Sequence, residues 1–116
     1  MKTKYLIVIS VILSIILPGI TLYDSAFAGE PFHLGVALGL SGTGAPYSKE
    51  AVEGIEIAVN EINASGGLLG EYRIRLFIRD TQTQPEVARK VVEDLIQNDK
   101  VRTIIATYSS ATALAI

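Results

Sequence analysis

Two adjacent serines, Ser109 and Ser110, follow an apolar run centred on Ile104-Ile105 and precede the start of a helical segment. At such a place two hydroxyls converge with the unpaired backbone N–H groups of the oncoming helix, and that combination binds a carboxylate. The same position also suits plain capping, in which one Ser side chain accepts a bond from the first helical turn and contributes about 1 kcal/mol. On the residues alone both readings stay open. Tyr47 closes a glycine-rich segment and is either an aromatic packed at a helix start or one wall of a pocket, its ring stacking on a ligand. Asp80 ends a second apolar run, where a carboxylate either meets a ligand or, as is common for Asp, caps the loop that follows. The single histidine, His33, lies inside an apolar run and reads as packed rather than catalytic. Asn63-Ala-Ser65 matches a glycosylation sequon and otherwise marks a helix end.

Several chemistries are excluded. Gly39, Gly42 and Gly44 invite a nucleotide reading, but Tyr47 stands where a dinucleotide fingerprint needs Gly or Ala, and no Gly-Lys-Ser/Thr follows. Around Ser41 the spacing of a nucleophile elbow is missing, and the one His precedes it in the chain. The chain has no Cys, hence no disulfide, thiolate ligand, cysteine nucleophile or lipid-modified cysteine. A single His leaves no multi-histidine metal site, and the carboxylates Glu50, Glu53, Glu56 and Glu61 read as a solvated helix face. No metal and no cofactor is expected. Of the charged residues, eight Lys+Arg and eleven Asp+Glu fall in 29–116, a net charge of −3 there. That acidic balance argues against nucleic acid, whose phosphates reward a basic face.

The N-terminus is an address. Lys2 and Lys4 precede an apolar run from Tyr5 to Leu17, then Pro18-Gly19, and Ala26-Phe27-Ala28 supplies the small residues that a signal peptidase requires. Residues 1–28 are expected to be a signal peptide cleaved after Ala28, with an uncleaved membrane anchor as the competing outcome. The remainder is expected to be exported and soluble, periplasmic or extracellular.

The elements that must position Tyr47, Asp80 and the serines follow from periodicity. Phe32 to Leu38 alternates large and small residues, as in a strand covered on both faces. Leu40 to Pro46 reads as a loop, with a helix from about Ser48 whose inner face is Val52, Ile55, Ala58, Val59 and Ile62, stopping at Gly66-Gly67. Ile74 to Ile78 is a second strand. Thr83 and Glu86 match a capping box before a helix to about Asn98, with Val87, Val91, Leu95 and Ile96 inward. Val101 to Ala106 is a third strand, and another helix begins near Ser110. Strand and helix in strict alternation imply an open parallel α/β sheet in three layers. In such sheets ligands sit at the carboxyl ends of the strands, here the segments Gly39–Tyr47, Asp80–Gln84 and Thr107–Ser110.

Taken together, Phe32 to Tyr47, Gly54 to Gly70, Asp80 to Pro85 and Ile104 to Ser110 resemble the start of a type I periplasmic binding protein, in the leucine/isoleucine/valine-binding group of ABC-transporter receptors. The most specific piece is the pattern Gly54, Ala58, Ile62-Asn63, Gly66-Gly67 and Gly70, whose small residues at 54 and 58 would permit close helix packing. The resemblance implies a non-enzymatic receptor that closes two lobes over a small ligand, an amino acid of the branched-chain type or a small carboxylate or amide, and presents it to membrane permease subunits. It also implies that Ser110 binds the ligand carboxylate through hydroxyl and backbone N–H, with Ser109 beside it and Tyr47 flanking the ligand. Thr83 and Ser109 stand where some relatives carry a disulfide pair, and Ala106 replaces a glycine common at the end of the third strand. The alternatives are a sensor domain of a signalling receptor and, from another class, an exported α/β hydrolase. The hydrolase needs a nucleophile with a partnered base, and this segment offers none.

Residues 29–116 would thus be the N-terminal part of lobe 1, a truncated one. Ordering a chain costs about 1 to 2 kcal/mol per residue in backbone entropy, and an unfinished lobe buries too little surface to offset it. The isolated 29–116 segment is expected to unfold without a cooperative transition, and a sigmoidal melt accompanied by a native-like near-UV dichroism spectrum would contradict this.

Overall fold

The computed structural model describes Phe27 and residues 29–116. The proposed signal segment lies outside the described residues, Phe27 excepted. Three strands, β1 (Phe32–Leu38), β2 (Ile74–Asp80) and β3 (Thr103–Ala106), alternate with helices α1 (Ala45–Ala64), α2 (Pro85–Gln97) and the short α3 (Ser110–Ala113). The sheet is parallel throughout in the order β2-β1-β3, so β1 is hydrogen-bonded on both sides. Its residues Val36, Ala37 and Leu38 are buried on both faces, which is why this strand reads as apolar and small rather than alternating.

The two faces hold different layers. Ala37, Leu95 and Val101 form a buried cluster with Phe77, Val91, Val92 and Ile104, which places α2 on that face. On the other face lie Val36, Leu38 and Ile74, with Val59 of α1 buried above them. Gly35 lets the first cluster close: a Cβ there would stand 3.2 Å from Ile104 and 3.3 Å from both Leu95 and Val101. Arg79 carries β2's polar side of this layer, with Nη2 2.6 Å from the Asp99 carboxylate and Nε 3.5 Å from Asp94.

The structure shifts several boundaries. A 3-10 turn at Gly42–Gly44 leads directly into α1, so that helix starts at Ala45 rather than near Ser48. Pro46 does not break it, because a proline in the first turn removes only an N–H that would have no helical partner anyway. The expected Thr83–Glu86 capping box does not form. Thr83 takes a left-handed backbone at φ 57°, the N-cap is Gln84, and no side chain caps α2. The inward face of α2 is rotated from the expected one: Ala88 and Leu95 are fully buried, whereas Ile96 is half exposed. On α1, Ala58 and Ile62 are exposed and a Cβ at Gly54 would touch nothing, so the small residues at 54 and 58 do not bring this helix close to the sheet. They lie on a flank that no described residue covers. Val101 precedes β3 instead of beginning it, its side chain completing the core and its N–H donating to the Leu95 carbonyl at 3.1 Å.

The end of α1 is closed by two backbone hydrogen bonds. Gly66, at φ 104°, follows the C-cap Ser65, with Gly67 N–H donating to the Ile62 carbonyl at 2.8 Å and Gly66 N–H to that of Asn63 at 3.4 Å. This is the Schellman pattern, and only glycine takes that backbone without strain. One residue inside it, Asn63 clamps the first residue of β2: its Nδ2 donates to the Ile74 carbonyl at 2.9 Å and its Oδ1 accepts from Ile74 N–H at 2.8 Å. The sequon asparagine is thus a structural tie between α1 and the edge strand.

Replacing Asn63 by Ala leaves the Ile74 N–H and C=O without these partners. In the complete protein this change is expected to lower the unfolding free energy by about 1–3 kcal/mol, read from urea denaturation. A loss under about 0.5 kcal/mol, within the scatter of ordinary surface substitutions, would refute the clamp.

Candidate functional site

Parallel pairing puts the carboxyl ends of all three strands on one edge of the sheet. Leu38 pairs with Asp80 and Ala37 with Ala106, so the loops after β1, β2 and β3 leave the sheet side by side. Tyr47, Asp80, Ser109 and Ser110 all belong to these exits. His33 does not: it is the second residue of β1, where its Nδ1 donates to the Asp99 carbonyl at 2.6 Å and its ring meets Phe77 at 4.9 Å.

Asp80 binds the first two loops together. Its Oδ1 accepts from the backbone N–H of Leu40 at 2.9 Å, Ser41 at 3.2 Å and Gln82 at 2.7 Å, while Oδ2 accepts from the Ser41 hydroxyl at 2.6 Å. Because Asp80 stands level with Leu38 in the sheet, its carboxylate naturally reaches the residues that follow Leu38. Desolvation at the strand end raises its pKa, but the Ser41 hydroxyl and the N–H groups of Gln82, Ser41 and Leu40 outweigh that and hold the carboxyl below its ordinary value. An aspartate so fully engaged is a loop clasp, the second of the two roles its sequence position allowed. Thr83 adds a further tie, its Oγ1 accepting from Gly44 N–H at 3.2 Å and donating to the Ser41 carbonyl at 3.4 Å.

The two serines separate into different roles. Ser109 is the N-cap of α3, its Oγ accepting from Thr112 N–H at 3.4 Å and its own N–H donating to Thr107 Oγ1 at 2.9 Å. Ser110 is exposed, and among the described residues its hydroxyl takes part in no protein hydrogen bond. The helix cap and the free hydroxyl are therefore neighbours rather than competing uses of one residue.

Tyr108 is the residue that sequence reasoning missed. Its ring meets that of Tyr47 edge to face, with centroids 5.9 Å apart and planes at 70°. Tyr108 lies across the first loop, so close to Gly44 that a Cβ there would collide with its hydroxyl and stand 2.7 Å from Thr83 Oγ1. That bare position is what lets the ring settle. The signal lay in the Tyr108-Ser-Ser sequence, but only the fold shows that it meets Tyr47. Two open grooves, of about 700 and 610 Å³, lie elsewhere, the first against α1 and β2 and the second around the start of β1. Neither includes Tyr47, Tyr108, Ser109 or Ser110, and at the carboxyl edge Tyr47, Tyr108 and Ser110 are exposed. No group of three or more His, Asp or Glu able to hold a metal occurs among the described residues.

This layout has relatives. A family model for the periplasmic binding protein matches residues 31–116. The chain belongs to that family. Over 95 residues it is 34% identical to the Leu/Ile/Val-binding protein homolog 8 of Brucella abortus (strain 2308), an overlap of 82% of this chain and 23% of that protein. Among solved structures it resembles the branched-chain amino acid transporter substrate-binding protein LivJ of Streptococcus pneumoniae, determined with isoleucine, at TM-score 0.69 and 28% identity over 73% of this chain and 24% of that one. It also resembles the leucine-binding protein LivK of Thermotoga maritima at TM-score 0.64 and 31% identity, over 72% of this chain and 23% of that one. The parallel sheet with flanking helices is thus part of a type I periplasmic binding protein fold, and the chain spans about a quarter of the length of the relatives it matches. The family is a class of exported, substrate-binding proteins rather than of enzymes.

The Asp80 clasp has a pH signature. A carboxyl with a depressed folded pKa contributes stability that is fully present above its unfolded value of about 3.9 and drains away as pH falls through the folded pKa. The backbone amide resonances of Leu40, Ser41 and Gln82 are expected to titrate together, with a midpoint below about pH 3.9. A midpoint above that value, or three unrelated ones, would refute the clasp.

Proposed function

We propose that this chain is the N-terminal part of lobe 1 of the substrate-binding component of an ABC transporter. It captures a small ligand at the carboxyl edge of the sheet, between this lobe and a second one, and the closed form is handed to the membrane permease subunits. The ligand carries a carboxylate, as an amino acid of the branched-chain type or another small acid does. Delivery begins with the signal peptide of residues 1–28, cleaved after Ala28, which leaves a soluble periplasmic or extracellular protein.

The observation that carries this reading is the exposed Ser110 hydroxyl in the first turn of α3, beside a Ser109 already committed to capping and two residues after Tyr108, whose ring meets that of Tyr47. Ser110 takes the carboxylate through its hydroxyl and backbone N–H, Ser109 fixes the turn that aims it, and Tyr47 flanks the ligand. Support comes from the names of the relatives, which describe Leu/Ile/Val-binding proteins and branched-chain amino acid receptors. The catalytic alternative finds no support here, since no described Ser hydroxyl pairs with His33, whose Nδ1 is held by the Asp99 carbonyl.

A hydrogen bond to a charged carboxylate contributes about 1.5–3 kcal/mol. Changing Ser110 to Ala in the complete protein is expected to weaken ligand binding by that amount in isothermal titration, with the melting temperature of the unliganded protein little altered. Unchanged affinity would remove Ser110 from the site.

A further inference from the structure

We propose that Thr83 is a positioning residue for ligand binding: without touching the ligand it holds the loop after β1, and through it Tyr47, in the binding-ready place, and the strained turn at Gln82-Thr83 is kept for that purpose. The proposal rests on the reading of the carboxyl edge as a ligand wall.

The turn after β2 is unusual for its residues. Gln84 N–H donates to the Thr81 carbonyl at 2.9 Å, and the two residues inside that bond, Gln82 and Thr83, have φ of 54° and 57°. Two successive left-handed residues within a four-residue turn are the mark of type I′, for which Asn-Gly or Gly-Gly is the ordinary choice. Here neither position holds Gly or Asn. A Cβ crowds the backbone in this region, and a β-branched residue is the poorest occupant of all. Strain held at a functional edge calls for something that the side chains of the turn supply in return. Gln82 supplies little: it is exposed, and among the described residues its side chain takes part in no protein hydrogen bond. Thr83 is the one that acts.

The loop after β1 is wound around it. The Thr83 hydroxyl accepts from Gly44 N–H at 3.2 Å and donates to the Ser41 carbonyl at 3.4 Å, so it grips both sides of the 3-10 turn at Gly42–Gly44. Three of the six residues from Gly39 to Gly44 are glycine, and each is bare where the turn after β2 comes close. A Cβ at Gly39 would collide with the Thr83 hydroxyl, one at Gly44 would stand 2.7 Å from it, and one at Gly42 would stand 2.6 Å from the Gln82 carbonyl oxygen. These glycines, which resemble a nucleotide loop only in part, thus make room for a threonine peg. Gly44 is the N-cap of α1, and Tyr47 stands on the first turn of that helix. Fixing the 3-10 turn therefore fixes the base from which Tyr47 projects, and a loop already ordered loses no further freedom when a ligand arrives.

The test uses the complete protein, by isothermal titration with leucine, isoleucine, valine and 4-hydroxybenzoate and by native-state hydrogen exchange at the Gly44 amide. Thr83→Gly removes the hydroxyl and the strain together, Gln82→Gly removes strain alone, and Thr83→Ser keeps the hydroxyl. The tightest of the four ligands is expected to bind Thr83→Gly at least about tenfold more weakly, with faster exchange at Gly44. Thr83→Ser and Gln82→Gly should keep the wild-type affinity and exchange, and Gln82→Gly should melt higher, because glycine takes a positive φ without strain. Gly39→Ala displaces the hydroxyl from the other side, and the same loss is expected of it should Thr83→Gly not fold. Wild-type affinity in Thr83→Gly and Gly39→Ala, whatever their melting temperatures, reduces Thr83 to a structural tie and overturns the proposal while the receptor reading stands. An equal loss of affinity in Gln82→Gly overturns it as well. A wild-type protein that binds none of the four overturns the receptor reading and the proposal with it.

Discussion

Parallel hydrogen bonding of β1 on both of its sides is the constraint from which the site follows. A strand paired with β2 along its whole length and with β3 from Leu34 to Ala37 fixes where each neighbour ends relative to its own last residue. Leu38 and Asp80 come level, so one carboxylate reaches the backbone of the first loop. Ala37 and Ala106 come level, so Tyr108 passes close enough to Gly44 to rest on it. A slip of one residue in either pairing would turn alternate side chains to the wrong face and take Asp80 out of reach of Ser41. The register is in turn held by packing: Gly35 and Ala37 are small enough for α2 to close on the sheet, and Arg79 bonds across to Asp94 and Asp99.

On this frame the work is divided among neighbours. Asp80 and Thr83 spend their polar atoms on the loops themselves, Ser109 spends its hydroxyl on a helix end, and Ser110 is left with a hydroxyl that the described protein does not use. Satisfying the backbone locally is what makes such a wall preorganised, because donors that already have partners do not need to reorder when a ligand arrives. Along this edge Tyr47, Tyr108 and Ser110 stay exposed.

Much of this was legible in the sequence, and the failures have specific causes. The strand and helix order came from the alternation of Phe32 to Leu38 and the spacing of Val52, Ile55 and Val59, patterns that burial enforces. The spacing places the start of α1 too late because Gly42, Gly44 and Pro46 read as breakers, although the glycines form a 3-10 turn and the proline is harmless in a first turn. Thr83 looked like a cap because its spacing to Glu86 was right, but its left-handed backbone directs the hydroxyl to the first loop. Asp80 was recognised as either ligand group or loop cap, and its choice rests on residues some forty positions away that spacing does not reveal. Tyr108 went unnoticed for the same reason, since its partners Tyr47 and Gly44 are distant in sequence and adjacent only after the sheet forms.

The central claim is that the carboxyl edge between Tyr47 and Ser110 is the ligand-binding wall of this lobe. A crystal structure of the complete protein with ligand bound tests it most directly. The account predicts the ligand carboxylate within hydrogen-bonding distance of the Ser110 hydroxyl and N–H, with the Tyr47 ring against the rest of the molecule. A ligand bound in either groove away from the strand ends, or this edge buried under another part of the protein with no ligand against it, would contradict it.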